Sequence, residues 1–194
     1  MLKNLAAVSA ALLISTGAAS AATMFSDDFS TYGSTTVLNA PDSLFGGNWS
    51  TTDGTIDYLA EGDSFGDLCQ GTGNCIDLDG STGNSGVFSS IVFDAGTYTL
   101  DIGLLGSGRG TTESVTITLG DWTTTISGIG SADDASTSFT FATTGGALSF
   151  ENAGGDNRGA ILTSVDLAPV PLPAGGLLLL AGLGGLAMVR RKKA

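Results

Sequence analysis

Residues 97–104 read Thr-Tyr-Thr-Leu-Asp-Ile-Gly-Leu, and this stretch decides the fold class. Its four large apolar side chains, those of Tyr98, Leu100, Ile102 and Leu104, lie at every second position with small or polar residues between them. Successive side chains of a β-strand point to opposite faces, so this alternation predicts a strand with one face on a core and the other in water. Such half-buried strands are typical of antiparallel sheets.

The same alternation continues on both sides of this strand. Later apolar runs contain Val115, Ile117 and Leu119, then Phe139 and Phe141, then Leu148 and Phe150, and finally Ile161, Val165 and Leu167. Earlier candidate strands cover residues 24–29, 48–52, 55–59, 74–78 and 87–93. The segments between runs are rich in Gly, Asp and Asn, which favour turns, as at residues 94–96, 106–110, 145–146 and 154–157.

About ten short strands separated by turns predict an all-β fold, an antiparallel two-sheet β-sandwich of the jelly-roll type. Residues 22–168 are enough for one such domain with a core, but hardly for two. A parallel β-solenoid is the alternative. The sequence shows no fixed repeat and no calcium-binding nonapeptide, which favours the sandwich.

The charges of the chain are unevenly distributed. It has 19 acidic and seven basic side chains, with a formal net charge of −12. Most basic residues lie near the two ends, so only Arg109 and Arg158 accompany the carboxylates of the middle. This acidic middle would repel phosphates, which excludes nucleic acid as a partner. Since the chain has no histidine, Ser-His-Asp and Cys-His catalysis and His-ligated zinc are also excluded.

Residues 1–21 have the pattern of a secretory signal peptide. Lys3 gives a short positive start, residues 5–14 are mainly apolar, and Ala19 and Ala21 form a small-x-small cleavage pattern. We expect a signal helix, with a mature chain that begins at residue 22. An ordinary buried helix is the alternative.

The C-terminal segment, residues 169–194, combines three parts. An uncharged apolar stretch at residues 175–189 lies between a Pro-containing pentapeptide and a basic tail. A helix over residues 174–189 would be about 24 Å long, which is short for a hydrocarbon core of about 30 Å. We expect a transient transmembrane helix with its basic tail in the cytoplasm and the acidic domain outside. The pentapeptide is Val170, Pro171, Leu172, Pro173 and Ala174, and the tail contains Arg190, Arg191, Lys192 and Lys193.

This three-part tail resembles the PEP-CTERM class of sorting signals, and its pentapeptide matches the VPLPA-CTERM variant letter for letter. The resemblance covers residues 170–194. It implies that a membrane-embedded exosortase of a Gram-negative bacterium recognises residues 170–174 and removes the tail, with delivery to the cell envelope or the extracellular polysaccharide matrix. A plain C-terminal membrane anchor is the alternative, and both interpretations place the domain outside the cytoplasmic membrane.

Four short motifs follow one another through the middle of the chain. They are Trp49 with Gly-Thr-Ile-Asp-Tyr at 54–58, Ile-Asp-Leu-Asp-Gly-Ser at 76–81, Ala-Gly-Thr-Tyr-Thr-Leu at 95–100 and Gly-Gly-Asp-Asn at 154–157. In this order they resemble bacterial choice-of-anchor C proteins and related exported domains of the galactose-binding-like jelly-roll type. The last strand departs from that family, because residues 162–165 read Leu-Thr-Ser-Val where the family usually has Leu-Asp-Asn-Val.

Cys69 and Cys75 flank a Gly-rich segment of a chain that we expect to be exported. An oxidising compartment favours a local disulfide between them. Closing so short a loop stabilises the fold by about 2 kcal/mol in the chain-entropy model. The expected role of the disulfide is to hold this loop ahead of the strand at Ile76.

Asp77 and Asp79 are candidate ligands for Ca²⁺, which binds six to eight oxygens. EF-hand spacing is absent, because positions 6 and 12 counted from Asp77 are Thr82 and Phe88. The resemblance to galactose-binding-like domains implies one structural Ca²⁺ held across the fold; the alternative is that these residues form turns and solvate the surface. The candidate ligands are Asp27, Asp28, Asp77, Asp79 and Asp156.

The candidate ligand-binding residues are Trp49 and Trp122, as aromatics for stacking on sugars, and Arg109. Core packing is the alternative for the aromatics, and ion pairing for Arg109. The leading hypothesis is a non-enzymatic surface or matrix protein whose sandwich binds extracellular polysaccharide or acts structurally. The alternative is an extracellular polysaccharide hydrolase that uses carboxylates, although the sequence singles out no catalytic pair.

Overall fold

The computed structural model describes residues 24–40, 42–82 and 84–171. The stretch at residues 97–104 lies within a single strand, and its four large apolar side chains are buried, as predicted. The strands are β1 (Phe25–Asp27), β2 (Thr36–Asn39), β3 (Asp42–Leu44), β4 (Trp49–Asp53), β5 (Thr55–Leu59), β6 (Cys75–Asp77), β7 (Val87–Phe93), β8 (Gly96–Leu105), β9 (Thr112–Leu119), β10 (Trp122–Gly130), β11 (Thr137–Thr143), β12 (Gly146–Asn152) and β13 (Ile161–Pro169). The only helices in the described residues are two short 3₁₀ helices, Phe45–Gly47 and Gly66–Cys69, so the all-β prediction is confirmed.

The strands form two sheets that pack face to face. One sheet has the order β11-β8-β13-β6-β5-β2, with β1 also paired to β13, and the other has the order β10-β9-β12-β7-β4-β3. Neighbouring strands are antiparallel in both sheets. This confirms the antiparallel sandwich and rules out a parallel solenoid.

The core lies between the sheets and is rich in aromatic side chains. Trp49 on β4 stacks on Phe88 of β7 with ring centroids 4.4 Å apart. Phe25 of β1 and Phe150 of β12 pack around the indole ring, so both sheets contribute to this aromatic cluster. Because large apolar side chains each stabilise a fold by about 1.5–3 kcal/mol when fully buried, this cluster is a main source of stability.

Three strands were not predicted from the sequence, namely β2, β3 and β10. β2 and β3 have only four and three residues, too few for a periodic pattern. β10 is an edge strand of the six-stranded sheet and is rich in threonine, and most of its residues alternate between half-buried and exposed. An edge strand that buries little apolar area shows little hydrophobic alternation in its sequence.

The predicted signal helix, the cleavage residues Ala19 and Ala21, residues 172–174 of the pentapeptide and the transmembrane and basic tail segments all lie outside the described residues. Val170 continues from β13, and its backbone N–H donates to the Thr97 carbonyl at 2.8 Å. The described strands all belong to one compact unit. Within the described part of the chain, no helix has the length and apolar character needed to span a membrane.

Candidate functional site

A cleft of about 480 Å³ lies on the outer face of the seven-stranded sheet. Ile56 and Tyr58 of β5 belong to the core, so the alternate residues Asp57 and Leu59 point outward. All five residues of β5 are nevertheless buried, because the loop between β5 and β6 packs over this part of the outer face. The residues lining the cleft are Thr35, Thr36, Val37, Asp57, Leu59, Phe65, Leu68, Asp77, Ser81, Arg109 and Asn157.

Two carboxylates form the floor of the cleft. Asp57 and Asp77 are paired residues on β5 and β6, which places their Cα atoms about 4.5–5.5 Å apart. Both are buried, and Asp77 is only 2% exposed. Asp57 accepts hydrogen bonds from the Ser81 backbone N–H, at 3.3 Å, and from the Ser81 hydroxyl. Since adjacent buried carboxylates repel each other, the fold has to supply further donors or a cation beside Asp77.

Arg109, in the β8–β9 loop, is that cation. Its guanidinium forms an ion pair with Asp77 and also donates to the Asn157 carbonyl at 2.5 Å. The Arg109 side chain is 25% exposed, so it contacts both the buried carboxylate and the cleft. Burial raises the pKa of Asp77 to about 7, while the Arg109 guanidinium and the N–H donors to Asp77 act in the opposite direction. The charge of Asp77 therefore changes near neutral pH.

The β12–β13 loop donates hydrogen bonds to the carboxylates of Asp77 and Asp79. One carboxylate oxygen of Asp77 accepts a hydrogen bond from the Gly159 N–H at 3.0 Å. A Cβ at Gly159 would overlap the backbone nitrogen of Asp79, so this close approach requires glycine. These bonds hold Asn157 at the rim of the cleft. Three further N–H groups donate to Oδ2 of the fully buried Asp79 at 2.8–3.4 Å, those of Gly155, Asp156 and Arg158.

The opposite wall of the cleft is the β5–β6 loop. A disulfide joins Cys69 to Cys75 at the end of this loop. It packs with Leu59 and Ile161 in a second apolar cluster on the outer face of the sheet. The loop therefore has its own small core, which keeps it against the strands.

The exposed ring in this wall is that of Phe65, which is 60% exposed and lines the cleft. Leu68, three residues later, packs against the disulfide cluster and also lines the cleft. Gln70 donates a hydrogen bond to the Gly106 carbonyl at 3.0 Å, which ties this loop to the loop that carries Arg109. The apolar and the charged wall are thus fixed relative to each other.

The structure corrects the prediction that Trp49 stacks on a ligand. Trp49 is 1% exposed, its ring stacks on Phe88, and its indole N–H donates to the Asp27 carboxylate at 2.8 Å. Because its ring and its N–H group both make contacts inside the core, Trp49 presents no surface to a sugar.

Trp122 lies away from the cleft, at the edge of the sandwich. It is half-buried and stacks on Phe141 with centroids 3.7 Å apart, and Phe139 lies 5.6 Å away. Trp122 belongs to β10 and the two phenylalanines to β11, the edge strands of the two sheets. The three rings therefore close one edge of the sandwich. Of the three predicted ligand residues, only Arg109 lines the cleft.

The five carboxylates predicted to hold calcium do not converge on one point. Asp27 pairs with Val165 on β13, whereas Asp77 pairs with Ile161, four residues away and about 13 Å along the strand. In the described residues, no group of three or more acidic or cysteine side chains is arranged to hold a metal ion.

Hydrogen bonds already occupy most of these predicted calcium ligands. Asp27 accepts from the Trp49 indole and the Tyr32 hydroxyl, and the exposed Asp28 accepts from Ser30. The side chain of Asp156 is exposed, and its backbone N–H serves Asp79. In the described structure these residues take part in hydrogen bonds that fix turns, loops and core side chains.

Only Asp77 and Arg109 of the residues lining the cleft were among the predicted site residues, and the residues that were missed include Asp57, Phe65, Ser81 and Asn157. Asp57 carried a detectable signal, because it is a polar residue on the outer side of an alternating run. Its pairing with Asp77 depends on sheet order, which the alternation does not specify. Phe65 and Asn157 lie in irregular loops, where no periodicity marks a site.

No protein-family model matches the chain, and a search of curated proteins finds no significant relative. Solved structures with a similar fold include the CBM22-1 xylan-binding domain of Paenibacillus barcinonensis Xyn10C, with 13% identity, a TM-score of 0.43 and coverage of 80% of this chain and 99% of that domain. The CBM22-1–GH10 modules of Clostridium thermocellum xylanase 10B have 12% identity and a TM-score of 0.41, with coverage of 77% of this chain and 28% of that chain.

An exo-β-1,3-galactanase from Phanerochaete chrysosporium is also similar, with 14% identity and a TM-score of 0.37. The match covers 70% of this chain and 29% of the galactanase. The chain thus corresponds to less than a third of that enzyme. At such distances, function has to be argued from the residues of the site itself.

Proposed function

We propose that this β-sandwich is a non-enzymatic glycan-binding domain and that the Arg109 cleft is its binding site. The observation that carries the proposal is the composition of the two walls. One wall presents the exposed ring of Phe65, and the other presents Arg109, Asn157 and Ser81 beside buried carboxylates. A cleft with an apolar surface and a few fixed polar groups is the usual form of a small-molecule site.

A sugar ring has complementary surfaces. Its C–H face packs on an aromatic ring, and its hydroxyl groups exchange hydrogen bonds with polar side chains. The Arg109 guanidinium offers several donors in a fixed plane, and the Asn157 side chain offers both a donor and an acceptor. The disulfide and the loop hydrogen bonds fix both walls before binding, which lowers the entropy lost on association.

We expect the purified protein to bind at least one neutral oligosaccharide from a panel of xylohexaose, cellohexaose, laminarihexaose and β-1,3-galactotriose in isothermal titration calorimetry. Phe65→Ala should weaken that binding about tenfold or more, because stacking on an aromatic ring is lost and tenfold corresponds to about 1.4 kcal/mol. Thermal unfolding of the variant should be close to that of the wild type, because Phe65 is exposed.

Val92→Ala is the matched control. Val92 is an apolar residue with 76% exposure on β7 of the other sheet, and it is not among the residues lining the cleft. Its replacement should leave the affinity unchanged. Equal losses in the two variants, or no binding to any member of the panel, would count against the cleft as the site.

The second candidate function is a polysaccharide hydrolase. It is favoured by the side-by-side carboxylates of Asp57 and Asp77 and by the pKa of Asp77, which burial raises to about 7, since a glycosidase needs one carboxyl group protonated near neutral pH. The ion pair between Asp77 and Arg109 argues for a binding or structural role instead. Turnover of a polysaccharide panel that disappears in Asp57→Asn, with folding intact, would establish the hydrolase.

The proposal includes export and sorting. A signal peptide at residues 1–21 and the VPLPA-type tail at residues 170–194 would carry the domain across the cytoplasmic membrane to an exosortase, and then to the cell envelope or the polysaccharide matrix of a Gram-negative bacterium. The support is the order of pentapeptide, apolar stretch and basic cluster.

Intact mass and terminal peptide mapping of the protein from envelope and medium of its native host test this sorting. We expect a species that begins near Ala22 and ends near residues 170–174, because both targeting segments would be removed. Recovery of a species that retains Arg190 to Lys193 would instead indicate a simple membrane anchor.

A further inference from the structure

A second cleft adjoins the first. It has a volume of about 390 Å³ and shares Thr36 with the Arg109 cleft as a common lining residue. Thr36 is the first residue of the edge strand β2, so the two clefts meet where the β1–β2 loop enters the sheet. The residues lining the second cleft are Thr31, Tyr32, Gly33, Ser34, Thr36, Gly46 and Tyr58.

Thr35, which lines the first cleft and precedes the shared Thr36, is held in place by hydrogen bonds to the β5–β6 loop. The Thr35 N–H donates to the Asp63 carboxylate at 2.8 Å, and the Thr35 hydroxyl accepts from the Ala60 N–H at 3.0 Å. The bond from the Thr35 N–H lowers the pKa of Asp63, so this carboxylate stays ionised and accepting near neutral pH. The β1–β2 loop and the wall that carries Phe65 therefore form one connected rim.

The second cleft contains an aromatic side chain of its own, Tyr32. Its hydroxyl donates to the buried Asp27 carboxylate at 2.9 Å, and its ring meets Tyr58 edge-on with centroids 6.2 Å apart. Both contacts fix the orientation of the ring, which is half-buried. Each cleft is thus lined by an aromatic ring that is not fully buried, Phe65 in the first and Tyr32 in the second.

The charges around the clefts select against anionic ligands. Arg109 is the only cation among the lining residues of either cleft, and it is already paired with Asp77. All 19 acidic side chains of the chain, whose net charge is −12, lie within residues 27–166. A polysaccharide of uronic acids would meet this negative field, and neither cleft is lined by a cation that is not already paired.

We propose that the two clefts are adjacent subsites of one site, which binds a linear, uncharged polysaccharide across β2. This inference rests on the glycan-binding function proposed for the Arg109 cleft and adds the class of ligand and the second subsite. A short oligosaccharide occupies the Arg109 cleft alone, and a longer one also contacts Tyr32. Contacts in a second, pre-formed cleft increase affinity with chain length.

Calorimetry with oligosaccharides of two lengths tests the proposal. The probes are xylobiose and xylohexaose, cellobiose and cellohexaose, and laminaribiose and laminarihexaose, with an alginate hexasaccharide as the anionic ligand. In the series that binds, we expect the hexasaccharide to bind about tenfold tighter than the disaccharide or better. Alginate should not bind, and the neutral affinity should not change with salt concentration, because no charges pair on binding.

Three variants locate the second subsite. Tyr32→Ala should reduce the affinity for the hexasaccharide to that for the disaccharide and leave the disaccharide affinity unchanged, whereas Tyr32→Phe should keep the length dependence because the ring remains. Ser34→Trp provides a second route, since Ser34 is exposed and lines only the second cleft, and its replacement blocks that cleft without removing the Tyr32–Asp27 bond. Circular dichroism and thermal unfolding check that each variant is folded.

The outcomes separate this inference from the proposed function. Equal affinities for short and long oligomers, or full length dependence in both Tyr32→Ala and Ser34→Trp, would overturn the second subsite and leave the Arg109 cleft as a glycan site. Tighter binding of alginate than of every neutral oligomer would overturn the class of ligand. An absence of binding to all the probes would refute the glycan-binding function itself.

Discussion

Replacing Arg109 by alanine is expected to lower the free energy of unfolding by about 2 kcal/mol at pH 8 and by about 1 kcal/mol at pH 5. The ion pair with Asp77 is the reason, because at pH 8 the variant must either bury an ionised carboxylate without its cation or bind a proton that the wild-type carboxylate has mostly released. At pH 5 Asp77 is already mostly protonated, since burial raises its pKa to about 7, and the variant then loses only hydrogen bonds. Urea unfolding at the two pH values measures the difference.

The direction of this pH dependence follows from the protons that Asp77 binds in the folded and unfolded states. Between pH 4 and pH 7 the folded protein keeps a proton on Asp77 that the unfolded chain has released, so the contribution of this group to stability falls as the pH rises through this range. Removing Arg109 takes away a group that lowers the pKa of Asp77, so the fall extends to higher pH in the variant. Asp57, beside it on β5, adds repulsion in the same direction.

Two further variants make this prediction specific. Arg158→Ala removes the same charge from an exposed position and should change stability by less than about 0.5 kcal/mol at both pH values. Adding Asp77→Asn to Arg109→Ala should abolish the extra loss at pH 8, because no carboxylate remains to be ionised. A loss in Arg109→Ala that is equal at pH 5 and pH 8 would show that the Asp77 charge is not what Arg109 stabilises.

Replacing Trp49 by alanine is expected to lower the free energy of unfolding by about 3–5 kcal/mol, a large part of the total for a domain of this size. The substitution leaves a cavity beside Phe88 and Phe150 and removes the indole donor to the buried Asp27 carboxylate. Chemical unfolding followed by circular dichroism measures the loss.

Trp49→Phe separates the two effects, since it keeps most of the ring and removes the donor; we expect a loss of about 1–3 kcal/mol. Trp122→Ala is the control at the edge of the sandwich, where the ring is only half-buried. It should lower the free energy of unfolding by less than Trp49→Ala does. If Trp49→Ala retained wild-type stability but lost glycan binding, the indole would be a ligand contact and its assignment to the core would be wrong.

The alternation of apolar residues was sufficient to predict the fold class. The alternate apolar residues from Tyr98 to Leu104 form the inner face of β8 as expected, because a period of two is a local property that burial on one side of a sheet imposes. The prediction failed for β10, since an edge strand rich in threonine that buries little apolar area needs no such pattern. The sequence also provided no means of placing Trp49, because a tryptophan ring suits core packing and stacking on a sugar equally well, and the structure buries it.

The candidate site could be predicted only in part, because it depends on contacts between distant parts of the chain. Arg109 was a candidate as one of two cations in an acidic domain, yet its partner Asp77 lies 32 residues away in sequence. The pairing of Asp57 with Asp77 requires β5 and β6 to be neighbours, which no local pattern encodes. Phe65 occupies an irregular loop, whose position over the sheet results from the disulfide and its apolar cluster.

The most direct test of the central claim is an NMR titration that follows the backbone amide signals as the oligosaccharides of the neutral panel are added. The account predicts that the tightest binder shifts the amides of Asp57, Phe65, Ser81, Arg109 and Asn157 in a saturable way, because these residues line one cleft. Signals on the outer face of the six-stranded sheet should stay in place. Shifts confined to that other face, or no shifts with any member of the panel, would contradict the assignment of the Arg109 cleft as a glycan site.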